Sequence, residues 1–180
     1  MPAAVRFCGT RNAMVDDASG QTGPPRRRHL HRLESVWVEP PIYFVTTCSY
    51  GRRPVLCDED MPEAIISSLK DASQAAAWSV GRFVIMPDHL HFCCAPWSPD
   101  SRLSVFLGRF KGLSASRARR TGWRGSLWQA EFFDRALRSG ESYRSEWLYA
   151  AMNPVEEGLC EAPEDWPHQG EIRPLRGPGL

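Results

Sequence analysis

The clearest candidates for chemistry in this 180-residue sequence are two histidines separated by one residue, His89 and His91. They lie in the segment MPDHLHF (86–92), which has the composition of a strand that follows a Pro-Asp turn. Residues two apart on a strand point to the same face, with Cα atoms about 6.6 Å apart, so both rings can converge on one metal ion. Cys93 continues that face, and its thiolate would favour zinc, whereas oxygen ligands would favour magnesium or manganese. The alternative is that both histidines are polar residues on the exposed side of a half-buried strand.

A second candidate pair is Tyr149 and Asn153, in the segment WLYAAMNPV (147–155). Residues four apart share one face of a helix, so a phenol and a carboxamide would lie side by side as nucleophile and metal ligand. The alternative is a tyrosine at the edge of the core and an asparagine that ends a helix. Pro154 also disfavours helical geometry at Asn153, which leaves the direction of that side chain open.

The basic residues are unevenly distributed, although the net charge is only +1. Residues 101–145 hold ten Lys or Arg against three Asp or Glu, and arginine supplies 20 of the 22 basic residues. Arginine binds phosphate through two hydrogen bonds, and interleaved aromatic side chains can stack on unpaired bases. The alternative assigns Trp123 and Trp128 to the core and the arginines to solvent. The candidate DNA contacts are Arg52, Arg53, Arg109, Lys111, Arg117, Arg119 and Arg120.

Hydrophobic periodicity predicts the elements that must position these residues. Strands are predicted at 42–48, 78–86, 89–95 and 127–137, and helices at 60–77, 102–119 and 141–152. The order β-α-β-β-α-β-α predicts an α+β domain of the ferredoxin-like kind, with an antiparallel sheet and helices packed on one face.

The composition sets outer limits on the kind of protein. Residues 1–35 are predicted to be a disordered or loosely attached basic arm, 36–167 the folded domain, and 168–180 a Pro/Gly-rich tail. No apolar run approaches the ~20 residues of a membrane-spanning helix, and no signal-peptide core is seen. The six cysteines show no CxxC spacing, so we expect reduced thiols and a cytoplasmic location.

Taken together, the motifs resemble the REP-associated tyrosine transposases, which are relatives of the IS200-like single-tyrosine transposases in the HUH nuclease superfamily. The resemblance covers about 43–167. It is carried, in order, by YFVTTCSYGRRPVL, FVIMPDHLHF, GRFKGLSASRARR, SLWQAEFFDRALRS and YRSEWLYAAMNPVEEGLCEAPEDWP.

The resemblance implies a metal-dependent endonuclease and strand transferase that acts on single-stranded or hairpin DNA. His89 and His91 match the metal motif, Asn153 the third protein ligand, and Tyr149 the nucleophile that forms a 5′-phosphotyrosine. The expected cofactor is Mg²⁺ or Mn²⁺, with no small-molecule cofactor and no membrane partner. Both a monomer and a homodimer remain open. Lys111 and the pair Arg52-Arg53 match positions that contact DNA, whereas the WQ motif at 128–129 has no assigned role.

The sequence also departs from the family pattern. Ala130-Glu131 and Glu156-Glu157 stand where the family often has basic residues. A second hypothesis is therefore a domesticated transposase that binds hairpin nucleic acid without cutting it. A third is a zinc protein that uses His89, His91 and Cys93.

Overall fold

The computed structural model describes residues 41–137 and 139–176. The predicted basic arm at 1–35 and the last four residues of the predicted tail lie outside the described residues. The described strands are β1 (Ile42–Cys48), β2 (Trp78–Ile85), β3 (His89–Pro96), β4 (Phe133–Leu137) and β5 (Gln169–Glu171). The described α-helices are α1 (Met61–Ala75), α2 (Leu103–Arg120) and α3 (Gly140–Glu156).

The five strands form one antiparallel sheet in the order β4-β1-β3-β2-β5. This arrangement confirms the predicted α+β class and the predicted antiparallel sheet. The central pair places Thr46 of β1 opposite His91 of β3, and Cys48 opposite His89. Every residue of β3 is buried, so both faces of the sheet must be covered at this strand.

Helices α1 and α2 cover one face of the sheet, where Leu90 and Phe92 of β3 join the larger hydrophobic cluster. Helix α3 packs on the opposite face, in a smaller cluster that includes Cys93 and Tyr143. The prediction that the helices pack on one face is therefore wrong for α3. The physical reason is that successive side chains of β3 point to opposite faces of the sheet. His89 and the residues on its face point away from α1 and α2, and α3 covers that face.

Helix α3 is longer than the predicted 141–152. It begins after Ser139, whose hydroxyl accepts a hydrogen bond from the Ser142 N–H at 3.2 Å. It continues through Pro154, and the carbonyl of Pro154 accepts a hydrogen bond from the N–H of Leu159 at 2.8 Å. Asn153 thus lies within the helix, on the same face as Tyr149.

The predicted strand at 127–137 is a strand only from Phe133 onward. The preceding residues form a loop that meets the end of β1 through a single bridge between Ser49 and Trp128. The Trp128 indole N–H donates to the Ser114 hydroxyl at 2.8 Å, and its ring lies 5.3 Å from that of Phe110. The WQ motif, to which the sequence assigned no role, therefore fastens this loop to α2.

The segment after residue 168 is folded against the sheet and differs from the predicted tail. Strand β5 pairs with β2, and the Ile172 N–H extends this pairing by donating to the Gly81 carbonyl at 3.1 Å. Leu175 packs against the cluster under α3, directly over Gly81. The folded domain thus extends beyond the predicted boundary at 167.

Among residues 41–137 and 139–176, no helix has the length and apolar character needed to cross a membrane.

Candidate active site

The two histidines lie at the start of β3, on the face of the sheet that α3 covers. His89 is 5% exposed and His91 is 4% exposed, and their ring centroids are 4.7 Å apart. The rings are nearly perpendicular, at 84°. Burial rules out the alternative in which the pair simply faces solvent.

Each histidine uses one ring nitrogen for a contact within the protein. His89 Nδ1 lies 2.6 Å from Asp88 Oδ1, and His91 Nδ1 lies 2.8 Å from the Thr46 hydroxyl. The second nitrogen of His91, Nε2, is buried and has no hydrogen-bond partner among the described residues. A buried polar atom without a partner is costly unless it binds something that the protein itself does not supply.

The surroundings keep His91 neutral, which is the form that binds a metal ion. Burial lowers its pKa to about 3, and the neighbouring His89 and Arg52 add to the shift. The orphaned nitrogen and the neutral ring together fit a divalent cation held by the histidine pair.

Tyr149 reaches this site from α3. Its ring centroid lies 6.0 Å from that of His91, and the residue is 55% exposed. Tyr143 and Ala150 take the core positions of the same helix. Tyr149 is therefore more than half exposed at the edge of this cluster, with its ring beside His91.

Asn153 lies one helical turn beyond Tyr149 and is buried. Its side-chain N–H donates to the Tyr149 carbonyl at 2.8 Å, which leaves its amide oxygen Oδ1 for another partner. The described residues contain no cluster of three or more His, Cys, Asp and Glu side chains suited to a metal. The role of Asn153 as a third protein ligand stays a prediction, for which its Oδ1 has no assigned hydrogen bond among the described residues.

Cys93 does not complete a His/His/Cys zinc site in this structure. It is fully buried in the cluster under α3. Burial raises the pKa of its thiol to about 12, and among the described residues no group of three His, Cys, Asp or Glu side chains is placed to hold a metal ion. The zinc hypothesis consequently loses its third ligand.

Lys111, predicted to contact DNA, has a different role in this structure. Its ammonium group donates to three backbone carbonyls, those of Gln129 at 2.8 Å, Ala130 at 3.1 Å and Glu131 at 2.8 Å. Because an ammonium group has three N–H bonds, none remains for a phosphate. In this structure Lys111 therefore holds the loop beside the end of β1, and its predicted contact with DNA stays a prediction.

Two predicted DNA contacts have partners away from the histidines. Arg117 joins the two helices on its face by donating to the Ser68 hydroxyl at 2.8 Å and to the Asp71 carboxylate. Arg53 donates to the Ser126 carbonyl at 2.6 Å and stacks over Trp123 at 4.7 Å. Their guanidinium groups are thus engaged within the protein.

Arg52, also a predicted DNA contact, lies next to the site. Its guanidinium donates to Cys48 Sγ at 2.9 Å and pairs with Asp88 Oδ2 at 2.8 Å. The remaining predicted contacts, Arg109, Arg119 and Arg120, are exposed on α2. That helix lies on the sheet face opposite the histidines, so these three arginines do not border the histidine–tyrosine site.

Sequence reasoning missed two residues of the site. Thr46 was assigned only to a strand, and its role depends on the strand register that sets it opposite His91. Asp88 was assigned only to a turn, although it directly precedes the histidine motif. The dipeptide Asp88-His89 is the signal that could have indicated a carboxylate-bound imidazole.

Known proteins resemble this chain both in sequence and in fold. The family model described as "Transposase IS200 like" matches residues 40–144. The REP-associated tyrosine transposase of Escherichia coli (strain K12) is 27% identical over 134 residues, which cover 73% of this chain and 76% of that protein.

Two solved structures share the fold. A REP-associated tyrosine transposase bound to a REP hairpin has a TM-score of 0.63 at 20% identity, covering 78% of this chain and 82% of its own. A putative transposase from Deinococcus radiodurans has a TM-score of 0.51 at 19% identity, covering 70% and 96%.

The family model and the curated relative place this chain in the class of tyrosine transposases. The family model matches more than half of this chain. The chain therefore belongs to the IS200-like transposase family, as its motifs predicted. The matched region ends at residue 144, before Tyr149 and Asn153. The roles predicted for these two residues therefore depend on their geometry here.

Proposed function

We propose that this protein is a divalent-metal-dependent endonuclease and strand transferase that cleaves single-stranded, hairpin-associated DNA through a 5′-phosphotyrosine. The observation that carries the proposal is the accessible Tyr149 ring 6.0 Å from His91, whose buried Nε2 has no hydrogen-bond partner among the described residues. Membership of the IS200-like transposase family supports DNA as the substrate.

In the proposed reaction, His89 and His91 hold the ion, and Asn153 Oδ1 completes the protein ligands. Lewis-acid polarisation of the scissile phosphate is the chemistry that such an ion supplies when bound. The Tyr149 oxygen loses its proton and attacks phosphorus, so that the phosphorus–Oη bond forms as the bond to the 3′ oxygen breaks. The 3′ oxygen takes up a proton and leaves as a hydroxyl. A second 3′-hydroxyl can reverse the step and join strands.

The form of the substrate follows from the position of the nucleophile. Tyr149 is carried on a helix, so a phosphate must come to its exposed side, which a single strand permits more readily than a duplex. The structural relative bound to a REP hairpin supports hairpin DNA as the partner. The exposed arginines of α2 supply a basic surface for its phosphates.

The test is covalent capture of labelled DNA. The purified protein is incubated with end-labelled hairpin DNA from repeats flanking its gene, with Mg²⁺ or Mn²⁺, and separated on a denaturing gel. We expect a labelled protein band that disappears in Tyr149→Phe, while hairpin binding is retained. Tyr50→Phe is the matched control, because Tyr50 is 56% exposed and Tyr149 55%. A band that persists in Tyr149→Phe would contradict the proposal.

The second candidate, a hairpin-binding protein that does not cut, is favoured by Glu156 and Glu157. Both are exposed at the end of α3, the helix that carries the nucleophile. Glu157 lies close enough to Arg52 to act on its charge. Carboxylates there repel phosphate. Tight hairpin binding without a covalent band under either metal would favour this second function.

A further inference from the structure

The carboxylate of Asp88 has two partners, one on each oxygen. Oδ1 lies 2.6 Å from His89 Nδ1, and Oδ2 lies 2.8 Å from Arg52 Nε. Asp88 occupies the turn between β2 and β3, directly before the first histidine. Its side chain is only 20% exposed, so these contacts are partly shielded from water.

Arg52 is itself held in an uncommon backbone conformation. It has a φ of +55°, and Gly51 before it has a φ of +67°. The left-handed region is unfavourable for a residue other than glycine, so the contacts of Arg52 must compensate for that cost. The guanidinium contacts Cys48 Sγ at the end of β1 and the Asp88 carboxylate. This turn thus directs the Arg52 guanidinium onto the Asp88 carboxylate, which in turn contacts His89.

The two histidines are supported unequally. His91 has the neutral hydroxyl of Thr46 at Nδ1, whereas His89 has a carboxylate. A neutral imidazole carries its proton on either nitrogen, and only the other nitrogen can bind a metal ion. A carboxylate at Nδ1 favours the proton there and makes Nε2 a stronger ligand.

We propose that Asp88, held by Arg52, is a positioning residue that fixes His89 in the Nδ1–H tautomer and so makes Nε2 its metal-binding nitrogen. The inference rests on the proposed function, because it assigns a purpose to the metal site. It also gives Arg52 a role that requires no DNA.

The first test measures Mn²⁺ affinity in protein free of DNA, by electron paramagnetic resonance titration. Asp88→Asn keeps the shape of the side chain but removes its charge, and we expect binding to weaken by about 10-fold or more. The matched control is Asp100→Asn, an exposed aspartate between β3 and α2, which should bind Mn²⁺ as tightly as the wild type. Equal affinity in Asp88→Asn and the wild type would overturn the proposal.

The second test observes the tautomer directly by ¹⁵N NMR of the histidine rings in metal-free protein. We expect wild-type His89 to show a protonated Nδ1, and Asp88→Asn to show a mixture of tautomers. Arg52→Gln should also produce a mixture of His89 tautomers, but with more of the Nδ1–H form than in Asp88→Asn. The Asp88 carboxylate is still present in this variant, but Arg52 no longer orients it. Arg52 has a half-exposed side chain, so this variant keeps the inference testable if Asp88→Asn folds poorly.

The two readouts separate the inference from the proposed function. If wild-type protein binds no Mn²⁺, the proposed metal chemistry fails, whereas the NMR result still decides whether Asp88 sets the tautomer. Unchanged tautomers in both variants would overturn the inference and leave the cleavage assay unaffected.

Discussion

The half-buried ammonium group of Lys111 satisfies three carbonyls in the loop that follows Trp128. Its three N–H bonds diverge from one nitrogen, a geometry that suits carbonyls converging from three sides. A guanidinium is planar and cannot reproduce it. Lys111 is one of only two lysines among 22 basic residues, and it stands where the shape of the ion matters.

Replacing this lysine should therefore destabilise the fold. We expect Lys111→Met to lower the free energy of unfolding by about 1–3 kcal/mol, because the three carbonyls lose their donor. Chemical denaturation monitored by circular dichroism measures the change.

The matched control is Lys70→Met, since Lys70 is the other lysine of the chain and is exposed on α1. It should alter stability by no more than about 0.5 kcal/mol. Equal effects of the two substitutions would refute the role assigned to Lys111.

At the level of single residues, the candidate reactive groups were easier to predict from the sequence than the residues that support them. His89, His91 and Tyr149 were predicted from local spacing, and the structure brings them together. Thr46 could not be predicted, because its contact depends on pairing between strands that are distant in the chain. The contacts of Lys111 within the fold could not be predicted, because a charge pattern does not show which carbonyls the folded chain leaves without a donor.

Among the elements, α3 is supported from two directions. It packs on the sheet through Tyr143 and Ala150, and Trp166 and Leu175 from the last described segment join the same cluster. Leu175 reaches this position because β2 has a glycine beneath it. A Cβ atom at Gly81 would lie 2.7 Å from Leu175 Cγ and 2.9 Å from its Cδ1.

The substitution Gly81→Ala should displace this last segment. We expect it to cost about 1–3 kcal/mol through overpacking and to weaken hydrogen-exchange protection around β5. Thermal melts together with hydrogen exchange measure both effects.

Gly112→Ala on α2 serves as the control, since no atom of the described residues lies within 4 Å of a Cβ atom built there. It should stabilise the helix by about 0.5–1 kcal/mol. A harmless Gly81→Ala would mean that Leu175 does not pack closely on the sheet.

The elements themselves were largely predictable, because local periodicity sets strands and helices. The face on which α3 packs was not predictable, since it depends on which side of the buried β3 is left uncovered by α1 and α2. The segment 127–132 was predicted as part of a strand, and its pattern includes large apolar residues at 127, 128 and 132. The structure satisfies that pattern differently, by burying Trp128 against α2.

For the molecule as a whole, charge and chemistry lie on different faces of the sheet. Helix α2 contains no acidic residue and exposes Arg109, Arg119 and Arg120. The histidines and Tyr149 lie across the sheet from it. Affinity for DNA and the rate of cleavage should therefore respond to different substitutions.

We expect Arg119→Gln combined with Arg120→Gln to reduce the slope of log Kd against log salt concentration by about 1.5, because each phosphate contact contributes about 0.7–0.9. The cleavage rate at saturating hairpin should stay unchanged. Binding measured across a salt series, with single-turnover cleavage beside it, tests both statements.

Arg173→Gln, at an exposed arginine after β5, controls for the loss of charge alone. An unaltered slope in the double variant would show that the basic face of α2 does not touch phosphates.

The residues of the candidate site are far apart in the chain, so a ribosome synthesises them at different times. The histidines and the central strands that hold them come first, and Tyr149 follows only after α2 and β4. Trp166 and Leu175, which help to hold α3, come later still. A growing polypeptide therefore contains both histidines before it contains Tyr149 and Asn153. A nascent copy still on its messenger has its candidate site complete only once α3 has been made, and it has the packing that supports α3 only after synthesis has passed Leu175.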